Sequence, residues 1–492
     1  MNQAQTADTS IMPLLGDLSN VPPDYIHQVS NIKRFLERWT IDPSFRETFN
    51  ADPTGAIASL GLSLQVDEVM PLIDDALAIE LNKAIKAGED GRYPISVLRY
   101  RAFYREKRLH RRSIRKDCES TNPRIAAWRA RQINRCIGEL GVQKADALVH
   151  APLSIEIAKG CSVGCWFCGV AAPKLDHTWP YNEKNRDLWR STLKVLLEVL
   201  GPCAKQGFLY WATDPLDNPD YEKFLVDFHE ILGRCPQTTT AMGSKDIERT
   251  RKLLRLSHSM NSTIDRFSII TLRMLHQIHE GFKPEELIRV ECIPQNREAA
   301  DKYRKANAGR ARTFQDRRGK EMMPEEASST IACVSGFLFN MMEQTVRLIT
   351  PCNASARWPL GYWVVDEGHF DSAEELRAVL EGIVERNMSS NLKPAQLVRL
   401  RPDLTYETTE TDVLFRSRWI KITFHQQRET EQLANMLAAG TYTAADFALK
   451  REREAGVSLP ETFLFLDNLL KKGLLDEEPY HMIPVKLERA AG

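Results

Sequence analysis

Between residues 150 and 370 the spacing of apolar side chains switches repeatedly between a strand period and a helix period. "LSIEIA" (153–158), "GFLYWA" (207–212), "QTTTA" (237–241), "RFSIITL" (266–272), "LIRVECI" (287–293) and "TVRLIT" (345–350) are short runs rich in β-branched or aromatic residues, as strands are. "RDLWRSTLKVLLEVL" (186–200) instead places its apolar residues at i, i+3 and i+4, the stripe of a helix lying on a sheet. Strands alternating with helices predict a parallel α/β sheet. In such sheets chemistry gathers where strands end, so the candidate site residues are those that follow each run.

Outside this region the pattern is helical at first. In "DPSFRETFNADPTGAIASLGLSLQVDEV" (42–69) two Asp-Pro pairs start helices, and Gly61 marks a break before Leu62. From Arg99 to Arg135 arginine is interleaved with aromatics, which predicts a solvated helical face joining the amino-terminal segment to the sheet. Such a face could also grip RNA or steer an acidic peptide. Residues 304–320, "RKANAGRARTFQDRRGK", make a polar connection suited to a lid over a substrate. Near the other end "FRSRWIKITF" (415–424) has strand character and three short helices follow, with a turn and helix start at Thr441 to Asp446. The expected division is a helical segment over 1–98, a basic helical linker over 99–148, an α/β unit over 149–395 and a small unit over 396–492.

Composition narrows the class. The 492 residues are 43% hydrophobic and 27% charged, with a formal net charge of +0. That balance gives no overall pull toward nucleic acid. No apolar run approaches the roughly 20 residues of a membrane span, and the first residues lack a secretory layout, so the expected compartment is the cytoplasm. Of the ten cysteines, seven are scattered singly, as small core residues of a reducing compartment are.

The other three are Cys161, Cys165 and Cys168 in "KGCSVGCWFCGV", directly after the first strand. Structural zinc wants four ligands, and no second paired motif lies nearby. A cubane iron–sulfur cluster held by three thiolates would keep one iron open for a small molecule. C-x3-C-x-aromatic-C resembles the signature of the radical S-adenosylmethionine (SAM) superfamily, and "GFLYWATDPLDNPDY" resembles that superfamily's second motif. The resemblance implies a partial (β/α)6 TIM barrel, with a helical amino-terminal segment and a winged-helix-like carboxyl-terminal domain. It further implies one [4Fe-4S] cluster on the three cysteines and SAM on its open iron. Ala212, Thr213 and Asp214, with Phe167 and Ser268, would lie on the SAM side; Asp214 stands where the superfamily has Glu, one methylene longer. No cysteine follows Cys352, which favours a single cluster.

Cys352, in "VRLITPCNASARWPLGYW", follows the sixth strand-like run and is expected at the barrel mouth, with Cys292 as its rival and Cys333 in the core. A thiol there could return hydrogen to a carbon radical from the face opposite abstraction. Together with "VECIPQN" these segments resemble radical SAM epimerases of the proteusin type, which convert L- to D-residues in ribosomally made peptides. Residues 42–69 resemble nitrile-hydratase-like leader peptides, and the 396–492 unit resembles a peptide-recognition element. The implied partners are a leader-bearing precursor peptide and an external electron donor of flavodoxin or ferredoxin type. Acidic residues such as Glu452, Glu454, Glu461 and Asp467 leave the last unit without a basic face, so nucleic acid is not the expected partner. Backbone excision, thioether formation and RNA modification are the alternative chemistries.

Overall fold

The computed structural model describes residues 11–260, 262–299, 307–317, 330–425 and 429–482. The amino-terminal part is helical: α1 (Pro23–Ile41), α2 (Pro43–Ala51), α3 (Pro53–Ser59), α4 (Val66–Ile73), α5 (Asp75–Ala87) and α6 (Ile95–Asp117). Both Asp-Pro pairs start helices. Asp42 accepts from the amides of Ser44 and Phe45, and Asp52 from that of Gly55, which satisfies donors that a first turn leaves open. Phe35, Phe45, Phe49 and Ile57 close the core between these helices.

α7 (Pro123–Leu140) and α8 (Val142–Ala147) lead into the sheets. The expectation of a solvated basic face holds along α6, where Arg105, Arg108, Arg111 and Arg112 are exposed, and fails along α7. Arg129, Arg131 and Arg135 of α7 are buried, each bracketing another part of the chain. Arg129 donates to the carbonyl of His150 (2.8 Å), Arg131 to Glu477 and the carbonyl of Ser389, and Arg135 to Glu139, Thr350 and the carbonyl of Pro351. Charge along a sequence shows where arginines are, not what they meet.

The α/β part contains β1 (Ala151–Glu156), β2 (Ala158–Lys159), β3 (His177–Thr178), α9 (Glu183–Leu200), α10 (Tyr221–Leu232), β4 (Thr239–Thr240), α11 (Ile247–Ser259), β5 (Asp265–Ile269), α12 (Leu272–Gly281) and β6 (Val290–Pro294). α13 (Gly309–Arg317), β7 (Val334–Asn340), β8 (Thr345–Pro351), β9 (Tyr362–His369) and α14 (Ala373–Asn387) complete it. β4, β5 and β6 are parallel neighbours, and a second sheet has the order β1-β7-β8-β9. The 207–211 segment lies between the sheets. It bridges β1 in parallel at Phe208, and its Tyr210 hydroxyl accepts from Thr239 at 2.9 Å. The fold is therefore mixed α/β with small sheets. Leu153, Ile155, Phe337 and Phe339 face one large core that includes Trp189, Leu193, Phe224 and Leu380 of the covering helices.

One strand assignment is corrected. The run beside β1 in parallel is β7, "VSGFLFN", whereas "TVRLIT" is β8 and runs antiparallel to β7. Of the connection expected as a lid, residues 309–317 form α13, while 304–306 and 318–320 lie outside the described residues.

The last part has its own core around Val413, Phe415, Leu437, Phe447 and Leu466. "FRSRWIKITF" is not one strand. It is the hairpin of β11 (Asp412–Arg416) and β12 (Lys421–His425), closed by the Ser417 amide on the carbonyl of Ile420. With β10 (Thr405–Thr408) these form an antiparallel sheet, followed by α15 (Thr430–Ala439), α16 (Ala444–Ala455) and α17 (Leu459–Lys471). Thr443 caps α16 through the Asp446 amide. Among the described residues no helix is long and apolar enough to cross a membrane.

Candidate functional site

The cysteine loop springs from the end of β1. β2 and β3 pair as a short antiparallel ladder, and the loop between them is fastened by its backbone. The Cys161 amide donates to the carbonyl of Pro173 (2.9 Å), the Leu175 amide to that of Cys161 (3.2 Å) and the Asp176 amide to that of Lys159 (2.9 Å). Gly160 makes this possible: its φ is +83°, and a Cβ there would lie 2.3 Å from the carbonyl oxygen of Lys174. Further along, the Cys168 amide donates to the carbonyl of Cys165, and the Ala172 amide approaches Cys168 Sγ at 3.3 Å. All three cysteines are free and half-buried. Burial pushes the Cys161 thiol up to about 11 and the Cys165 thiol up to about 12. Thiolates in such a place need a bound cation to stabilise them, and a soft metal supplies one.

Four chain segments converge on this loop. The Ser162 amide donates to Asp217 Oδ2 at 2.9 Å, which ties the cysteine motif to the second motif. Ser162 Oγ reaches Met242 Sδ at 3.5 Å, just beyond β4. Arg297, beyond β6, lies over the Trp166 ring at 5.2 Å. The fourth is β1 itself, whose last residue, Glu156, accepts from the Ala212 amide at 2.7 Å and from Asn340 Nδ2 at 3.3 Å.

Asp214 is buried and fully engaged. Oδ1 accepts from the Leu216 amide (3.1 Å) and Thr240 Oγ1 (2.7 Å), and Oδ2 from the Ala241 amide (2.7 Å). Its carboxylate thus fastens the 212–216 turn to the end of β4. Burial nevertheless holds its pKa up at about 6. Thr213 is buried beside it, Ala212 and Phe167 are half-buried, and Ser268 is half-buried on β5. Trp166 and Phe167 meet edge to face at 5.5 Å.

Glu156 was missed in sequence because it looks like one polar position of an alternating strand. Burial raises its carboxyl from 4.5 to about 7. Between those values the folded chain binds a proton that the unfolded chain has lost, so this group's contribution to stability falls as pH rises. The Glu156→Gln variant is expected to gain thermal stability relative to the parent as pH is raised from about 5 to about 8, by up to about 3 kcal/mol. Melting curves of both proteins across that range test this; a difference independent of pH would contradict it.

Cys352 does not sit where the strand-end rule put it. β8 is antiparallel, so its last residues lie beside the beginnings of β1 and β7, away from the strand end that launches the cysteine loop. Arg135 and Cys136 of α7 both donate to the carbonyl of Pro351, and the Arg135 guanidinium lies 3.8 Å from the Trp363 ring centre. A second route reaches the cysteine loop. The Cys352 amide donates to Gly361 (3.0 Å), the Gly309 amide to Pro359 (2.8 Å) and the Arg310 amide to Cys168 (2.9 Å), each at a carbonyl oxygen. Gly309, with φ +54°, presses so closely on the loop that a Cβ would lie 2.3 Å from the Gly169 carbonyl oxygen. Cys352 also shares an apolar cluster with Trp358, Leu360 and Tyr362, against which Ala171, Phe208 and Trp211 pack.

The rival is excluded from this region. Cys292 pairs with Phe267 and packs with Ile269 and Val290 on the helix-covered face of β5 and β6. Alternation along β5 turns Ser268 to the other face.

No family model matches the chain. A solved structure, that of BtrN in complex with AdoMet and 2-DOIA, covers 49% of this chain and 90% of its own at 13% identity; its TM-score of 0.29 is too low to assign a fold. The uncharacterized protein y4wI of Sinorhizobium fredii (strain NBRC 101917 / NGR234) is 36% identical over 468 residues, which span 93% of this chain and 89% of that one. By that near full-length identity, the chain belongs to the same family as y4wI.

Proposed function

We propose that this protein is a radical SAM enzyme that epimerises L- to D-residues in a ribosomally made, leader-bearing peptide. The observation that carries the reading is the junction of the two motifs. Three free thiols stand on one loop after a parallel strand, and the Ser162–Asp217 bond ties that loop to the turn that follows Ala212, Thr213 and Asp214. Cys161, Cys165 and Cys168 would hold a [4Fe-4S] cluster; Ala212, Thr213 and Asp214, with Phe167 and Ser268, would hold SAM. Bound together, cluster and nucleoside supply a carbon radical able to remove hydrogen from an unactivated carbon.

The chain's own part is positioning and hydrogen supply. Glu156 and Asp214 fix the 212–216 turn between β1 and β4, so its carbonyls are set before a ligand arrives. Trp211 packs edge to face on Tyr362 at 5.7 Å and belongs to the apolar cluster that shields Cys352 from water. The Cys352 thiol is the proposed hydrogen donor. The 207–211 segment and β7 flank β1 in parallel, and β4, β5 and β6 are parallel to one another; we read these two sets as the six strands of a partial barrel, with β7 in the place expected of "TVRLIT".

The sheet of β10–β12 followed by three helices supports a winged-helix-like unit for leader recognition. β12 is an edge strand whose residues alternate between exposed and half-buried, and an extended peptide can add a strand to such an edge. The buried arginines of α7 are unavailable to an RNA backbone, whereas Arg105, Arg108, Arg111 and Arg112 of α6 are exposed and keep RNA as the second reading. An electron donor of flavodoxin or ferredoxin type completes the system.

Two measurements test the proposal. Anaerobically reconstituted protein given SAM and a reductant should release 5′-deoxyadenosine; none would remove the radical SAM reading. Coexpression with a leader-bearing peptide in heavy water should give D-residues carrying one deuterium at each inverted Cα. Turnover of SAM without D-residues would leave a different radical modification.

A further inference from the structure

Outside this region, side chains from three separate elements meet: Glu37 of α1, His279 of α12 and Cys292 of β6. One ligand-capable atom of each lies within 4.8 Å of the other two. His279 Nε2 is 3.3 Å from Glu37 Oε2, while Glu37 Oε1 accepts from Lys33 one turn earlier on α1. The Glu37 and His279 side chains are each 10% exposed. Their frame is fastened: Arg34 donates to the carbonyls of His279 (2.7 Å) and Phe282 (2.8 Å), and Asn296 Nδ2 to that of Ile41 (3.2 Å).

We propose that Glu37, His279 and Cys292 form a binding site for one divalent metal ion of the zinc class, joining the amino-terminal helix to the outer face of the sheet. The donor set selects the metal. Imidazole and thiolate disfavour magnesium and calcium, which take oxygen ligands, and suit zinc, which accepts sulfur, nitrogen and carboxylate oxygen together. Three protein ligands leave a fourth position for water. Lys33 on the outer carboxylate oxygen does what hydrogen-bonded partners of ligating carboxylates do: it holds the group in orientation. Binding sends the Cys292 proton to solvent while His279 coordinates in its neutral form, and the dication, thiolate, carboxylate and Lys33 ammonium together carry one positive charge. The ordinary alternative is a hydrogen-bonded cluster around the Lys33–Glu37 ion pair in which Cys292 stays a thiol. The two differ in whether the sulfur becomes a metal-bound thiolate.

Cobalt(II) reports that difference, because thiolate ligation gives it a near-ultraviolet charge-transfer band. The full chain is used with Cys161, Cys165 and Cys168 all changed to serine, so that the loop contributes neither cluster colour nor competing thiolates. Anaerobic titration should show one Co2+ per chain with that band, displaced by Zn2+. Adding Cys292→Ser should remove the band, and adding His279→Gln should weaken binding by roughly 100-fold. Circular dichroism checks that the variants are folded; should Cys292→Ser not be, Glu37→Gln, which keeps the side-chain shape, must weaken Co2+ binding instead. Absence of a thiolate band in the parent, or its survival in Cys292→Ser, overturns the site. The outcome is independent of the iron–sulfur reading, since the loop cysteines are absent throughout.

Discussion

Cys165→Ala is expected to give a folded chain that takes up essentially no iron, where anaerobic reconstitution of the parent yields about four irons per chain. The loop's shape does not depend on that thiol. Its base is fastened by the amides of Cys161, Leu175 and Asp176 and by the left-handed Gly160, and the Cys165 carbonyl that receives the Cys168 amide survives in alanine. The change therefore removes a ligand and little else, and a half-buried side chain of this size should alter stability by about 1 kcal/mol or less. Two remaining thiolates cannot retain a cubane, so the visible absorbance and release of 5′-deoxyadenosine should fall together. Cys203→Ala is the contrasting control. Cys203 is buried and its thiol donates to the carbonyl of Leu200, so that variant should keep its iron and lose stability instead. A Cys165→Ala protein with the parental spectrum would remove the cluster from this loop.

The parts of the site that could be read from the chain are those fixed by local chemistry. Three cysteines in one loop, Asp-Pro helix starts and the helical stripe of 186–200 need no knowledge of what packs against them. Strand direction is different. "VSGFLFN" is buried along almost all its length, so it shows no alternation and looks like featureless core, while "TVRLIT" alternates and looks like the better strand. The turn between them gives no signal either: it contains no glycine, and Gln344 takes the left-handed conformation at φ +50°. The same blindness hid the β11–β12 hairpin, whose turn at Ser417 to Ile420 has neither glycine nor proline. The α7 arginines and Glu156 failed for another reason. A charged residue looks alike in sequence whether it meets water or a buried carbonyl, and only the fold supplies the Pro351 carbonyl to Arg135 or the Ala212 amide to Glu156.

Cys352→Ala is expected to separate SAM cleavage from inversion: release of 5′-deoxyadenosine should continue, while D-residue formation drops below detection. A hydrogen-atom donor must keep its S–H bond at working pH. Cys352 is 2% exposed, and burial pushes its thiol well above the ordinary cysteine value, so it stays protonated where a surface thiol would begin to ionise. It shares an apolar cluster with Trp358, Leu360 and Tyr362, and the Gly361, Gly309–Arg310 and Cys168 backbone contacts fasten its loop to the cluster loop. Alanine removes the sulfur with only a small cavity behind it, so any loss of inversion reflects the missing hydrogen rather than a collapsed core. Cys352→Ser should fail equally, because an O–H bond is too strong to quench a carbon radical. Cys292→Ala should still form D-residues, since that thiol lies on the helix-covered face of β6 among Glu37 and His279. In heavy water the parent's inverted residues carry deuterium delivered through the exchanged thiol, and the Cys352→Ala product should carry none at those positions. D-residues formed at the parental rate by Cys352→Ala would take the donor role from this thiol and require a different hydrogen source within reach of the cysteine loop.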